Sequence, residues 1–114
     1  SPQLQHQMLL EAIDEAEQWH SEIATMTNAW ERGDLQSLER TVLDETRRGY
    51  PELYQALFVR RNTAWAPVIE RELHGSGVAF VAVGAGHLLG PDGLVVQLRA
   101  RGATVERVTT PPAR

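Results

Sequence analysis

A histidine in a glycine-rich loop is the strongest sign of chemistry in this sequence. Gly84-Ala85-Gly86-His87 follows the run VAFVAV, whose continuous hydrophobicity is typical of a buried strand. Ligands of open α/β sheets bind beyond the carboxyl ends of the strands, so this position suits a site. Histidine also serves most often as metal ligand and general base. The alternative is a structural histidine that hydrogen-bonds backbone at the strand end, and the pattern leaves both open.

Arg60-Arg61-Asn62 is the second candidate. Arg61 and Trp65 are four residues apart and share a face of the predicted helix. An arginine presented beside an aromatic ring can clamp a carboxylate or stabilise an oxyanion. The alternative is a surface salt bridge for Arg61, with Asn62 satisfying a carbonyl that Pro67 frees. The residues alone favour this structural interpretation.

The other histidines give weaker signals. Glu17 and His20 have the Glu-x-x-His spacing of di-iron bundles, but such sites need a second pair and none occurs. His74 precedes Gly75 at a predicted helix end, where a cation suits the helix dipole. The sequence contains no nucleophile elbow, P-loop, dinucleotide fingerprint or HExxH motif.

Three amphipathic helices are predicted ahead of the loop. The first begins with Ser1 as N-cap, carries an apolar stripe from Leu4 to Trp30 and ends at Gly33. The second begins at Asp34 and ends near residues 47–49. The third begins at Pro51 and ends at residues 75–77; Pro67 lies inside it, so this helix either kinks there or restarts with Pro67 in its first turn.

A strand–helix–strand unit is predicted to follow. Residues 78–83 form the first strand, a helix runs from Pro91-Asp92 to Gly102, and the alternating residues 104–108 form the second strand. A right-handed crossover makes the two strands parallel. The predicted fold class is therefore α/β and helix-rich. Residues 1–114 form a single domain, with a helical part at 1–75 and the strand–loop–helix–strand part at 77–109.

Two parallel strands cannot form a stable sheet alone. The strand at 78–83 needs partners on both sides, and the chain offers few. We therefore expect that the chain assembles with a second copy of itself, or that the rest of the sheet belongs to sequence outside these 114 residues.

Composition excludes several classes of protein. The chain has 114 residues, a net charge of −4 and no lysine among its 11 basic residues, so no basic stripe supports nucleic-acid binding. No apolar run is long enough to span a bilayer. The absence of cysteine excludes disulfides and thiolate metal sites. The N-terminus lacks the features of a signal peptide.

LFVRRNTAWAPVIE followed by VAFVAVGAGHLLGPDGLVVQLRARGATVERV resembles the C-terminal half of the TraB/GumN family, related to the TIKI metalloproteases. MLLEAIDEAE and AWERGDLQSLE resemble the family's middle helices, so the likeness covers most of the chain. The most specific part is the Gly-x-x-His loop followed by LLGPDGL. The resemblance implies a bacterial protein, exported to the periplasm only if an upstream segment carries a signal.

The resemblance also implies a metal-dependent hydrolase, a peptidase in the TIKI branch, with manganese, cobalt or zinc as cofactor. Family members carry two Gly-x-x-His motifs and an acidic residue in the N-terminal half. The second motif corresponds to Gly84 and His87, and an Arg-Asn pair corresponds to Arg61 and Asn62. His87 is then metal ligand and catalytic residue, Arg61 and Asn62 are catalytic, and Gly84, Gly86 and Gly90 shape the loop.

The first motif and the acidic residue have no counterpart here. The resemblance therefore implies a half that is inactive until the N-terminal half, or a second copy, completes it for a peptide or small-molecule substrate. The competing hypothesis is a non-catalytic regulatory or interaction module that acts through self-association. Its basis is the apolar stripe from Leu4 to Trp30 and the unpaired strand edges.

Overall fold

The computed structural model describes residues 1–16 and 18–109, and its regular elements are helices. Two helices form the N-terminal part: α1 is Pro2–Ala16 and α2 is Trp19–Arg32. Helix α3 covers residues 35–49 and consists of α-helical Leu35–Glu39, π-helical Arg40–Asp44 and α-helical Glu45–Gly49.

The C-terminal part contains the longest helix and the predicted functional loop. Helix α4 covers residues 51–73 and consists of α-helical Pro51–Tyr54, π-helical Gln55–Val59 and α-helical Arg60–Leu73. A short 3-10 helix, Ala85–His87, and helix α5, Leu94–Ala100, follow. None of the helices in the described residues is long and apolar enough to cross a membrane.

The predicted helix ends are confirmed at three positions. The Ser1 hydroxyl accepts a hydrogen bond from the Leu4 amide at 3.2 Å, which caps α1. Gly33 ends α2 in a left-handed conformation, with φ at 65°. Asp34 caps α3 by accepting a hydrogen bond from the Ser37 amide at 3.1 Å. The Asp34 carboxylate also accepts from the Ser37 hydroxyl, and the hydroxyl bond together with the amide bond lowers the pKa of Asp34.

The long first helix was a wrong prediction, and of the two alternatives at Pro67, a kink or a restart, the structure excludes the restart. Gln18 has φ −110° and ψ 3°, which separates α1 from α2 although the apolar spacing continues across it. No glycine or proline marks this interruption. Helix α4 runs through Pro67 without ending, so the proline lies in a helix interior.

The predicted strand–helix–strand unit and its parallel strand pair are also wrong. Within residues 1–16 and 18–109 there is no strand, and residues 78–83 and 104–108 have no regular structure. A strand exists only through ladder hydrogen bonds to a neighbour, and apolar β-branched sequence alone cannot supply that neighbour. Val78 and Phe80 are consequently almost fully exposed, at 103% and 94%. The helix after the loop begins at Leu94, not at Pro91-Asp92.

The described molecule is thin and has a small core. Its extents are 47 × 46 × 19 Å, and its radius of gyration of 16.2 Å exceeds the ~13 Å typical of a compact domain of about 100 residues. The fully buried apolar residues come from α2, α3, α4 and α5: Ala29, Leu38, Leu43, Leu53, Tyr54, Ala66 and Leu94. One polar residue, Asn62, is buried with them at 1% exposure.

Candidate functional site

The loop that carries His87 packs on the two π-helical segments. A Cβ on Gly86 would lie 2.8 Å from Phe58 Cε1 and 3.1 Å from Val42 Cγ1, one residue from each segment. Gly90 lies against Leu43 of the first segment, in a left-handed conformation with φ at 77°. The backbone therefore approaches both helices more closely than a side chain at position 86 would permit.

The His87 imidazole lies between aromatic rings and one amide. Its ring centroid is 4.8 Å from that of Trp65 and 5.3 Å from that of Phe58. Its Nδ1 lies 2.8 Å from Oδ1 of Asn62. Phe58, Asn62 and Trp65 of α4 thus all contact the ring, so the loop and α4 form one site.

The neighbours of Asn62 determine which nitrogen of His87 carries the proton. The Asn62 Nδ2 donates to the backbone oxygen of Asp92 at 2.9 Å, and a carbonyl can only accept. The amide oxygen therefore faces His87, so Nδ1 must be the donor of the 2.8 Å bond. In the neutral ring the other nitrogen, Nε2, then keeps its lone pair.

Asp92 anchors this arrangement from the far side. Its backbone oxygen accepts a second bond from Gln97 Nε2 at 2.9 Å, and its carboxylate accepts from the Tyr54 hydroxyl at 2.7 Å. Burial and this bond raise the pKa of Tyr54 to about 12, so the hydroxyl stays a donor at neutral pH. Helix α4, the loop and α5 therefore share one hydrogen-bonded network around Asn62.

Burial, and secondarily the positive charge of Arg61, lower the pKa of His87 below its usual value of 6.5. The imidazole is therefore neutral at pH 7. Arg61 itself is exposed and has no hydrogen-bond or ion-pair partner among the residues that the structure describes. It acts on the ring through charge and leaves its guanidinium open to an anionic group.

A neutral imidazole with a bare Nε2 can accept a proton or bind a divalent cation. His87 lines a groove of about 370 Å³ whose other walls come from α4 and the segment ahead of the loop. These walls are mostly apolar, apart from the carboxylate of Glu72: Trp65, Val68, Ile69, Glu72, Val81, Ala82, Val83 and Gly84. The site therefore combines one imidazole with space for an apolar group beside it.

A divalent metal needs more donors than this chain brings together. Catalytic zinc sites generally use about three protein ligands. The described residues contain no group of three His, Cys, Asp or Glu side chains positioned to hold a metal ion. His87 fits the role of one ligand, and the described residues do not fit a complete metal centre.

The structure brings together only part of the predicted site set. His87 and Asn62 are in contact, and Gly86 and Gly90 pack against the π-helical segments. Arg61 is near enough to His87 to lower its pKa but makes no hydrogen bond to any described residue. His6, His20 and His74 are exposed and do not line the groove that contains His87. The pair of Glu17 with His20 lies outside the described residues, because Glu17 is not among them.

Sequence reasoning missed the support of the site. The roles of Tyr54, Phe58, Asp92 and Gln97 went unrecognised. One signal was present: Asn62 follows Tyr54 and Phe58 at intervals of four on an otherwise apolar helix face. A lone amide on such a face indicates a buried polar group that must find partners.

Residues 1–107 match the sequence model of the TraB/PrgY/gumN family. Neither the curated proteins nor the solved structures include a match to the chain.

Proposed function

The chain belongs to the TraB/PrgY/gumN family, and on this premise we propose that it contributes His87 to the site of a metal-dependent hydrolase related to the TIKI metalloproteases. The observation that supports this most is the 2.8 Å bond between His87 Nδ1 and Asn62 Oδ1. Ligating histidines typically donate their second ring nitrogen to an oxygen that fixes the ring. Here a buried amide does this and leaves Nε2 free.

Each predicted site residue has a role in this proposal. His87 Nε2 is one ligand for a divalent cation such as manganese, cobalt or zinc. A cation held there would supply Lewis-acid polarisation of a scissile carbonyl. Asn62 is a positioning residue for His87. Arg61, exposed and close enough to lower the pKa of His87, stabilises negative charge on the substrate.

Because the described residues provide one ligand, the proposal requires further donors from elsewhere. We place these in an N-terminal half that carries the first Gly-x-x-His motif, with a second copy of this chain as the alternative source. The chain is then inactive by itself. The substrate is a peptide, as in the TIKI branch, or a small molecule with a hydrolysable bond.

Calorimetric titration with Mn²⁺, Co²⁺ and Zn²⁺ tests this proposal, and it uses the protein that includes the N-terminal half proposed above. His87→Ala should remove binding of at least one of these ions and hydrolysis of a peptide library. His74→Ala is the matched control, because His74 is an exposed histidine at the end of α4. Metal binding and hydrolysis that survive His87→Ala would contradict the assignment.

A non-catalytic module that acts through self-association is the second candidate. It is favoured by exposed apolar side chains along α1 and α2: Met8, Leu9, Ile13, Trp19, Ile23 and Trp30, each more than 40% exposed. An exposed apolar surface of this kind marks interaction sites. Sedimentation equilibrium of the chain decides the point, since a strict monomer at all concentrations removes the basis for this candidate.

A further inference from the structure

A second groove shares no lining residue with the groove that His87 lines. It occupies about 570 Å³ where the end of α1, the start of α2 and the π-helical part of α3 meet. The apolar part of its lining consists of Ala12, Ala16, Trp19, Ile23, Met26 and Val42. Trp19 is 59% exposed and Ile23 is 41% exposed, so large apolar surface faces solvent here.

Carboxylates surround this apolar groove. Glu15, Glu22 and Glu45 line it, and the adjoining depression adds Glu11 and Asp14. Among the residues that the structure describes, neither lining includes an arginine or a histidine. The nearby Arg47 is already paired with Asp44 at 2.6 Å. Within residues 1–16 and 18–109, the groove and the adjoining depression together thus carry five carboxylates and no cation.

Among the described residues, two of these carboxylates have partners and three do not. Glu11 accepts from the Thr46 hydroxyl at 3.1 Å and Asp14 accepts from the Tyr50 hydroxyl at 2.7 Å, which ties α1 to the end of α3. Partial burial, with a contribution from nearby Glu15, raises the pKa of Glu11. Within the described residues, the carboxylates of Glu15, Glu22 and Glu45 have neither a hydrogen bond nor an ion pair.

We propose that this groove binds a basic amphipathic helix of a partner protein. A groove between packed helices has the shape that a further helix fills, and helix-in-groove recognition uses an apolar face set against apolar walls. The helix places apolar side chains between Trp19, Ile23 and Val42. Its arginine or lysine side chains meet Glu15, Glu22 and Glu45, which supply the complementary charge.

Binding of a labelled peptide by the full chain tests this proposal. The probe is a fluorescein-labelled helical peptide with leucine at positions i, i+3, i+4 and i+7 and arginine on the opposite face. A peptide with the same leucines and glutamate in place of arginine is the control. Fluorescence anisotropy should show binding of the basic peptide that weakens with salt, and no binding of the acidic one.

The groove carboxylates are tested by a triple variant, Glu15→Gln, Glu22→Gln and Glu45→Gln. Its matched control is Glu31→Gln, Glu52→Gln and Glu106→Gln, which changes net charge equally at exposed positions outside both linings. We expect about tenfold weaker binding of the basic peptide for the groove variant and little change for the control. Circular dichroism establishes that both variants fold.

Three outcomes overturn the proposal. Equal binding of the two peptides shows that charge does not select the partner. Equal loss in both triple variants shows that net charge acts without the groove. Dimerisation of the chain that the groove variant abolishes, with no peptide binding, assigns the groove to a second copy.

Discussion

Asn62 and His87 form a pair in which a buried amide fixes the state of an imidazole. Their Oδ1 and Nδ1 atoms are 2.8 Å apart, and Asn62 is only 1% exposed. Because the other end of the amide donates to the Asp92 carbonyl, turning the amide over would set its oxygen against that carbonyl and lose this bond. The tautomer of His87 is therefore set by the backbone of its own loop, through a side chain of α4.

Asn62→Ala should lower the free energy of unfolding by about 2–3 kcal/mol, because it removes two hydrogen bonds from a buried position and leaves a small cavity. Urea denaturation followed by circular dichroism measures this. Thr63→Ala, at an exposed neighbouring position of the same helix, is the control and should change stability by less than about 0.5 kcal/mol. Equal effects of the two substitutions would show that the amide network contributes nothing.

His87 should titrate below its ordinary pKa of 6.5, because burial and Arg61 disfavour the imidazolium. The unfolded chain therefore binds the proton first, so stability from His87 is present above pH 6.5 and is lost as pH falls toward the folded pKa. Proton NMR titration of the ring measures the midpoint. Arg61→Gln should raise it, whereas Arg60→Gln should leave it unchanged. A midpoint above 6.5 contradicts the environment described for the ring.

Two loop glycines should respond differently to alanine. Gly86→Ala places a methyl group 2.8 Å from the Phe58 ring and should destabilise the chain by about 1–3 kcal/mol. Gly84→Ala meets only His87 Cδ2 at 3.8 Å, with φ already at −62°, and should be nearly neutral. Thermal unfolding compares them. Phe58→Leu in the Gly86→Ala background should restore part of the loss, and failure to do so would point to a different source of strain.

Residues 79–83 should exchange their amide hydrogens quickly in the isolated chain. None of these amides donates a hydrogen bond to a described residue, although the sequence is rich in β-formers. Hydrogen exchange by NMR should show protection for Arg101 and Ala103, whose amides bond at the end of α5, and little for residues 79–83. Slow exchange across 79–83 would show that the segment is paired in solution.

The sequence was informative where a local signal determines local structure. Ser1, Gly33 and Asp34 mark helix ends because their bonds and backbone angles involve residues within a few positions. The strand predicted at residues 78–83 was wrong for the opposite reason, since a strand depends on hydrogen bonds to a neighbouring strand, which local composition does not determine. The π-helical segments contain no side-chain cap, glycine or proline that would mark them in the sequence. Each lies inside a continuous amphipathic pattern and differs from an α-helix only in having about one more residue per turn.

In the candidate site, too, local features could be predicted from the sequence and contacts between distant residues could not. The glycine pattern around His87 indicated a functional loop, and the Arg-Asn pair followed from a family resemblance. The contact between them depends on how α4 packs on the loop, 25 residues further along the chain. Gln97 and Tyr54 support Asn62 only through Asp92, so no spacing rule along the sequence could connect them.

The tautomer of His87 is the most direct test of the account. Long-range ¹H–¹⁵N correlation spectra of the chain, recorded at a pH well above the titration midpoint of the ring, distinguish a protonated Nδ1 from a protonated Nε2. We predict a protonated Nδ1 and a bare Nε2, with the preference lost in Asn62→Ala. A protonated Nε2, or a preference unaffected by Asn62→Ala, would contradict the claim that Asn62 holds His87 ready for a ligand.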